Sequence, residues 1–116
     1  MSGDKKEITK IIERFELLEE KFGIAISGLY ATSEPARCVD RVICYIKINF
    51  DLTSLSGDKL ERDFWVKASA YNSTGQLLET RSERIRANDF MGFSPVSITL
   101  YDLDHAPEKI QLFLSV

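Results

Sequence analysis

The sequence is short of the residues from which most enzyme sites are built. It has one histidine, His105, and two cysteines, Cys38 and Cys44. With no CxxC or HxxxH spacing, a zinc site would have to be gathered from scattered donors. The six glycines are dispersed, and neither GxGxxG nor GxxxxGK[ST] occurs, so the usual backbone cradles for phosphate are missing. Nucleophilic catalysis needs a nucleophile, a base and a group that orients the base. Cys38 with His105 and an aspartate is the one arithmetic option, and no Gly-rich elbow stands beside either residue. No catalytic residue, metal ligand or cofactor site is assigned on this basis, and the chain is not expected to be an enzyme.

A basic excess is also lacking. Fifteen Lys and Arg stand against eighteen Asp and Glu, for a net charge of −3, and the two signs are interspersed. That balance argues against a nucleic-acid partner, whose phosphates call for a basic stripe. No run approaches the roughly 20 apolar residues of a membrane span. The longest candidate, residues 42–50, is broken by Lys47 and Asn49. No membrane attachment and no secretory leader are expected, since the segment before Ile8 is charged. If Cys38 and Cys44 share one extended strand, their six-residue offset separates them by about 20 Å, too far for a disulfide. Free thiols suit a reducing compartment, so a cytoplasmic protein is expected.

What is present suits one domain with its own core. The chain has 116 residues, 44% of them hydrophobic and 28% charged, with seven Phe, four Tyr and one Trp. That aromatic content is foreign to disordered segments. Near the N-terminus, Ile8, Ile11, Ile12, Phe15, Leu18 and Phe22 recur in steps of three and four. The spacing predicts an amphipathic helix of about 17 residues, capped by Asp4 with Glu7 and stopped by Gly23. After Gly23 the period changes to two. Ile24, Ile26, Gly28 and Tyr30 suit a first strand. Val42, Cys44, Ile46, Ile48 and Phe50 share one face of the clearest strand. Phe64, Val66, Ala68 and Ala70 define a third. Asn72-Ser-Thr-Gly75 is a hairpin turn leading to a polar return strand of edge character. Val96, Ile98 and Leu100, then Ile110, Leu112, Leu114 and Val116, complete the set. Residues 51–62 and 86–95 read as connections. The expected fold is an antiparallel β-sandwich, or partly open barrel, of about six strands with one N-terminal amphipathic α-helix. Residues 1–22 would form the helix, packed on or swapped between domains, and 23–116 the sandwich.

Binding surfaces are the remaining functional signal. Tyr45, Trp65, Tyr71, Tyr101 and Phe113 fall on the parity opposite the core, with Arg41, Lys47 and Lys67 among them. Trp, Tyr and Arg are common interface anchors. Phe90, Met91 and Phe93 cannot all enter the core from one short loop, so part of that loop is either a plug or a contact tip. Phe15 marks the helix face that could meet a partner. The partner-binding set is thus Phe15, Tyr45, Trp65, Tyr71, Phe90, Phe93 and Tyr101. The expected function is a non-enzymatic protein–protein interaction module, an adaptor, regulatory subunit or inhibitor, acting as a homodimer. The alternative is a small-ligand or Ca²⁺-dependent binding domain that uses Asp51, Asp58, Asp63, Asp89, Asp102 and Asp104 in loops.

Overall fold

Alternating side chains build the protein. A computed structural model describes residues 5–37, 42–57, 60–103 and 106–116. Among them are eight strands: β1 (Lys6–Glu7), β2 (Ile12–Arg14), β3 (Ile24–Arg37), β4 (Val42–Ser54), β5 (Phe64–Tyr71), β6 (Leu77–Ile85), β7 (Phe93–Leu103) and β8 (Lys109–Ser115). One short helix, α1 (Glu16–Lys21), lies between β2 and β3. The strands form two sheets of four: sheet A in the order β1-β3-β4-β7 and sheet B in the order β2-β8-β5-β6. Neighbours are antiparallel except β2, which runs parallel to β8 with Ile12 opposite Ile110.

The inner faces carry the predicted apolar parity. Ile46, Ile48, Phe50 and Leu52 of β4 and Val96, Ile98 and Leu100 of β7 line sheet A. Phe64, Val66, Ala68 and Ala70 of β5 and Ile110, Leu112 and Leu114 of β8 line sheet B. None of these is more than 6% exposed. Burying one Leu, Ile, Val or Phe is worth about 1.5–3 kcal/mol, so these inner rows hold the two sheets together. The Asn72 turn forms as its sequence requires. Its Oδ1 accepts from the N–H groups of Thr74 and Gln76, and Gly75 takes a φ of +85°. β6, the return strand, is an edge of sheet B.

The N-terminal helix is the main correction. The segment predicted to be helical folds as β1, a 3₁₀ turn at Thr9–Ile11, β2, and only then the six-residue α1. Ile8, Ile11, Ile12, Leu18 and Phe22 still pack against the core, as the spacing required. They reach it by a different path. Ile8, Thr9, Ile11 and Ile12 are β-branched and lose side-chain freedom in a helix. Strand pairing also satisfies backbone groups of β3 and β8 that a helix would leave open. Lys6 and Glu7 pair with Ser33 and Thr32, and residues 12–14 pair with 110–112. The segment is therefore woven into both sheets. Gly23 does end the helix, at a φ of +75°.

Of three register shifts among the described strands, one lies in β6 between Leu77 and Glu79, and the two in sheet A correct the strand parities. Between Ser27 and Tyr30, β3 carries one residue more than β4, and Gly28 sits there at a φ of +62°. Ile24 and Ile26 face inward before it and Ala31 after it, while Tyr30 is exposed. A second extra residue lies in β7, where Cys44 pairs with Leu103 but Ile46 with Leu100. Leu100 and Leu103 consequently both face inward. At this end of β4, Ile43 is buried and Val42 exposed, the reverse of the expected parity. Cys44 is a half-buried free thiol 3.2 Å from Ser33 Oγ. β4 also runs on through Ser54, because Leu52 and Ser54 continue its inward alternation.

Candidate functional site

The outer face of sheet B collects aromatic residues at both ends and polar ones across its middle. Trp65 on β5 lies between Ser115 of β8 and Arg84 of β6. Two residues on, Lys67 lies between Phe113 and Ser82. Ser69 follows, between Gln111 and Thr80, and then Tyr71, between Lys109 and Leu77. Phe113 stacks edge-on against Phe15 at 6.4 Å, which carries the aromatic row past β8 onto the start of α1. Trp65 is diagonal to Phe113 across the β5–β8 pair, within reach for large side chains. Trp65 is 38% exposed and Phe15 36%.

The polar middle is internally bonded. Ser69 Oγ and Thr80 Oγ1 are 2.9 Å apart, and Gln111 Nε2 donates to Glu13 Oε1 at 3.0 Å. Arg84 donates to Asp63 Oδ2 at 2.9 Å. Asp63 Oδ1 accepts the Ala87 N–H at 2.9 Å. That N–H, with the Arg84 guanidinium second, holds the Asp63 carboxyl below the ordinary range. Behind the aromatic end, Arg14 reaches Glu19 at 2.7 Å and the Ile26 carbonyl at 3.0 Å. The hydrogen bond that Arg14 donates to the Glu19 carboxylate raises the Arg14 pKa above its usual value.

The seven residues named from sequence do not form one surface. Trp65 and Tyr71 lie on sheet B, with Lys109 Nζ 5.3 Å from the Tyr71 ring, and Phe15 at the start of α1 borders that face through Phe113. Tyr45 belongs to sheet A, half-buried, with Lys47 over its ring at 5.4 Å. Tyr101 is exposed beside the β7 bulge, where Arg81 of β6 covers its ring at 5.5 Å. Phe93 opens β7 and is exposed with the neighbouring Met91. Phe90 is a correction: at 2% exposure it plugs the core and can anchor no partner. The loop fold explains the split, since the 3₁₀ turn Ala87–Asp89 aims Phe90 inward and leaves Met91 and Phe93 outside. Phe113 joins Phe15 and Trp65 on this face through its ring contact with Phe15, and its outward parity was the available signal.

Comparison with known proteins adds no identity. The chain matches no family model and no curated protein. It is weakly similar to the solved structure of an arabinose-bound GH51 α-L-arabinofuranosidase, at 10% identity and a TM-score of 0.26. That likeness covers 80% of this chain and 20% of the other, so the chain spans about a fifth of that protein's length.

Other concavities are open clefts. One of about 610 Å³, at the end of the sandwich, is lined by Phe22, Leu55, Leu60, Arg62 and Phe64 among others. Phe22 and Phe64 pack edge-on there at 5.4 Å, with Arg62 5.6 Å above Phe22. Among the described residues no group of His, Cys, Asp or Glu is placed to hold a metal ion. Asp63 is occupied by Ala87 and Arg84. Cys38, Asp58, Asp104 and His105 lie outside the described residues. No helix among the described residues is long and apolar enough to cross a membrane.

Proposed function

We propose that the protein is a non-enzymatic protein-interaction module of the cytoplasm, binding a partner protein through the outer face of sheet B. The observation that carries this reading is the row Phe15–Phe113–Trp65, partly exposed and set against the paired strands β5 and β8. An aromatic cluster at one end of this face, beside Arg84 and Lys67, with a hydrogen-bonded polar belt next to it, has the composition of an interface core and rim. The half-buried thiol of Cys44 supports a reducing compartment. A second reading, small-ligand binding, draws on the apolar floor of the cleft at Phe22, Leu60 and Phe64 rather than on the aspartate loops.

Trp65 is the sole tryptophan, so its fluorescence reports on the proposed surface directly. Partner binding should blue-shift its emission and reduce quenching by acrylamide. Trp65→Ser should abolish capture of that partner while leaving the circular dichroism unchanged, and Tyr45→Ser on the other sheet should retain it. Capture that survives Trp65→Ser but fails in Tyr45→Ser would move the interface to sheet A.

A further inference from the structure

The edges of the two sheets are not equally guarded. Sheet strands with an open side tend to recruit other strands, and proteins suppress this with charge, short length or local capping. β1 and β2 are two and three residues long and carry Lys6, Glu7, Glu13 and Arg14. β6 carries Glu79, Arg81, Glu83 and Arg84, and the Glu79 carboxylate accepts the Thr80 N–H at 3.1 Å. β7 differs. It is eleven residues long, pairs with β4 alone among the described strands, and has no charged residue from Phe93 to Tyr101.

The direction of its backbone groups follows from one hydrogen bond. The Ser54 N–H donates to the Gly92 carbonyl at 2.9 Å, while Thr53 lies opposite Phe93. In an antiparallel ladder successive residues alternate sides, so Ser94, Val96, Ile98 and Leu100 turn their N–H and C=O groups to β4. Phe93, Pro95, Ser97 and Thr99 turn theirs away from β4, toward a cleft whose other wall is formed by Glu83, Arg84 and Ile85 of β6. Pro95 has no N–H to offer, and the bulge after Leu100 ends the regular stretch at its other side. Residues 96–100 are left as a short uncharged segment bounded at both ends.

That segment is complementary to itself. When two copies run antiparallel about Ile98, Ser97 of each meets Thr99 of the other. Both pairs exchange N–H···O bonds, four in all, and none requires Pro95. The register is single, because a shift of one pair brings Pro95 or the bulge into the ladder. The two hydroxyl-bearing side chains lie together on the outer face, and Ile98 meets Ile98 on the inner face. The β6 strands that flank the joint each carry two acids and two arginines, so they add no net repulsion.

We propose that β7 pairs with β7 of a second copy of this chain, joining two four-stranded sheets into one of eight. This goes beyond the sheet B reading and does not rest on it, since the two surfaces lie on different sheets. Sedimentation across a concentration series, combined with amide hydrogen exchange, tests it. A dimer is expected, with exchange at the Ser97 and Thr99 N–H groups slowed about tenfold or more as it forms. Thr99→Pro deletes an edge-facing donor without touching the β4 ladder, and should yield a monomer with unchanged circular dichroism. Ser97→Lys sets like charges across the joint and should do the same should Thr99→Pro fail to fold. Ser82→Lys on β6 should remain dimeric. A chain that is monomeric at every concentration overturns the proposal. So does a dimer that survives Ser97→Lys, and dissociation by Trp65→Ser alone would assign the dimer to sheet B instead.

Discussion

Glu19 is the charged residue that the fold hides most completely among those described, at 4% exposure. Its carboxylate is held by the Nε and Nη2 of Arg14 at 3.3 and 2.7 Å, and Arg14 also satisfies the Ile26 carbonyl. One arginine thereby ties β2, α1 and β3 together. Removing one partner of such a pair strands the other, whereas removing both lets apolar packing compensate. Arg14→Met should destabilise the protein by about 2 kcal/mol, below the 3–5 kcal/mol of a fully buried pair because Arg14 is partly solvated. Arg14→Met combined with Glu19→Leu should recover most of that loss. Urea midpoints for the two single variants and the double complete the cycle, and an additive double variant would deny the coupling.

At the scale of elements, the bulge at Gly28 is the point where local geometry decides facing. Gly28 adopts a φ of +62°, and a Cβ placed there would lie 3.3 Å from Asp51 Oδ2. Gly28→Ala should cost about 1–2 kcal/mol, read as a lower thermal midpoint with unchanged secondary structure. No loss would mean that the bulge relaxes. Position 28 also shows what a sequence reading captures and what it misses. Uninterrupted alternation at 46–50, 64–70, 96–100 and 110–114 was legible, because only a half-buried strand explains it, while the continuation of β4 through Leu52 and Ser54 was not. The bulges were not, since one added residue reverses every later side chain without altering composition. The N-terminal segment was legible as apolar and core-facing. Its path was not, because spacing by three and four also suits a strand, a tight turn and a short helix in succession. Trp65 and Phe113 could be placed outward by parity. That Tyr45 lies on a different sheet from Trp65 depends on strand order, and Phe90 sat in a connection where parity has no meaning.

At the scale of the whole molecule, sheet B sets β2, early in the chain, beside β8, late in it, with β8 in the interior between β2 and β5. A chain stopped after residue 108 loses the partner of both neighbours and the inward side chains Ile110, Leu112 and Leu114. It should show no cooperative unfolding transition in urea by circular dichroism, and a preserved sigmoid would show that sheet A folds alone. The Glu13–Gln111 bond spans 98 positions in sequence, and pairings of that range make folding slow. The consequence reaches into protein synthesis. A ribosome adds about 5–20 residues per second, so the isoleucine-rich opening stretch emerges on the order of ten seconds before the strand it must lie against exists. Throughout that interval β2 has no sheet neighbour, although β1 and the turn after it can already meet β3. A holdase, or an early contact with another nascent chain, would meet this protein there first.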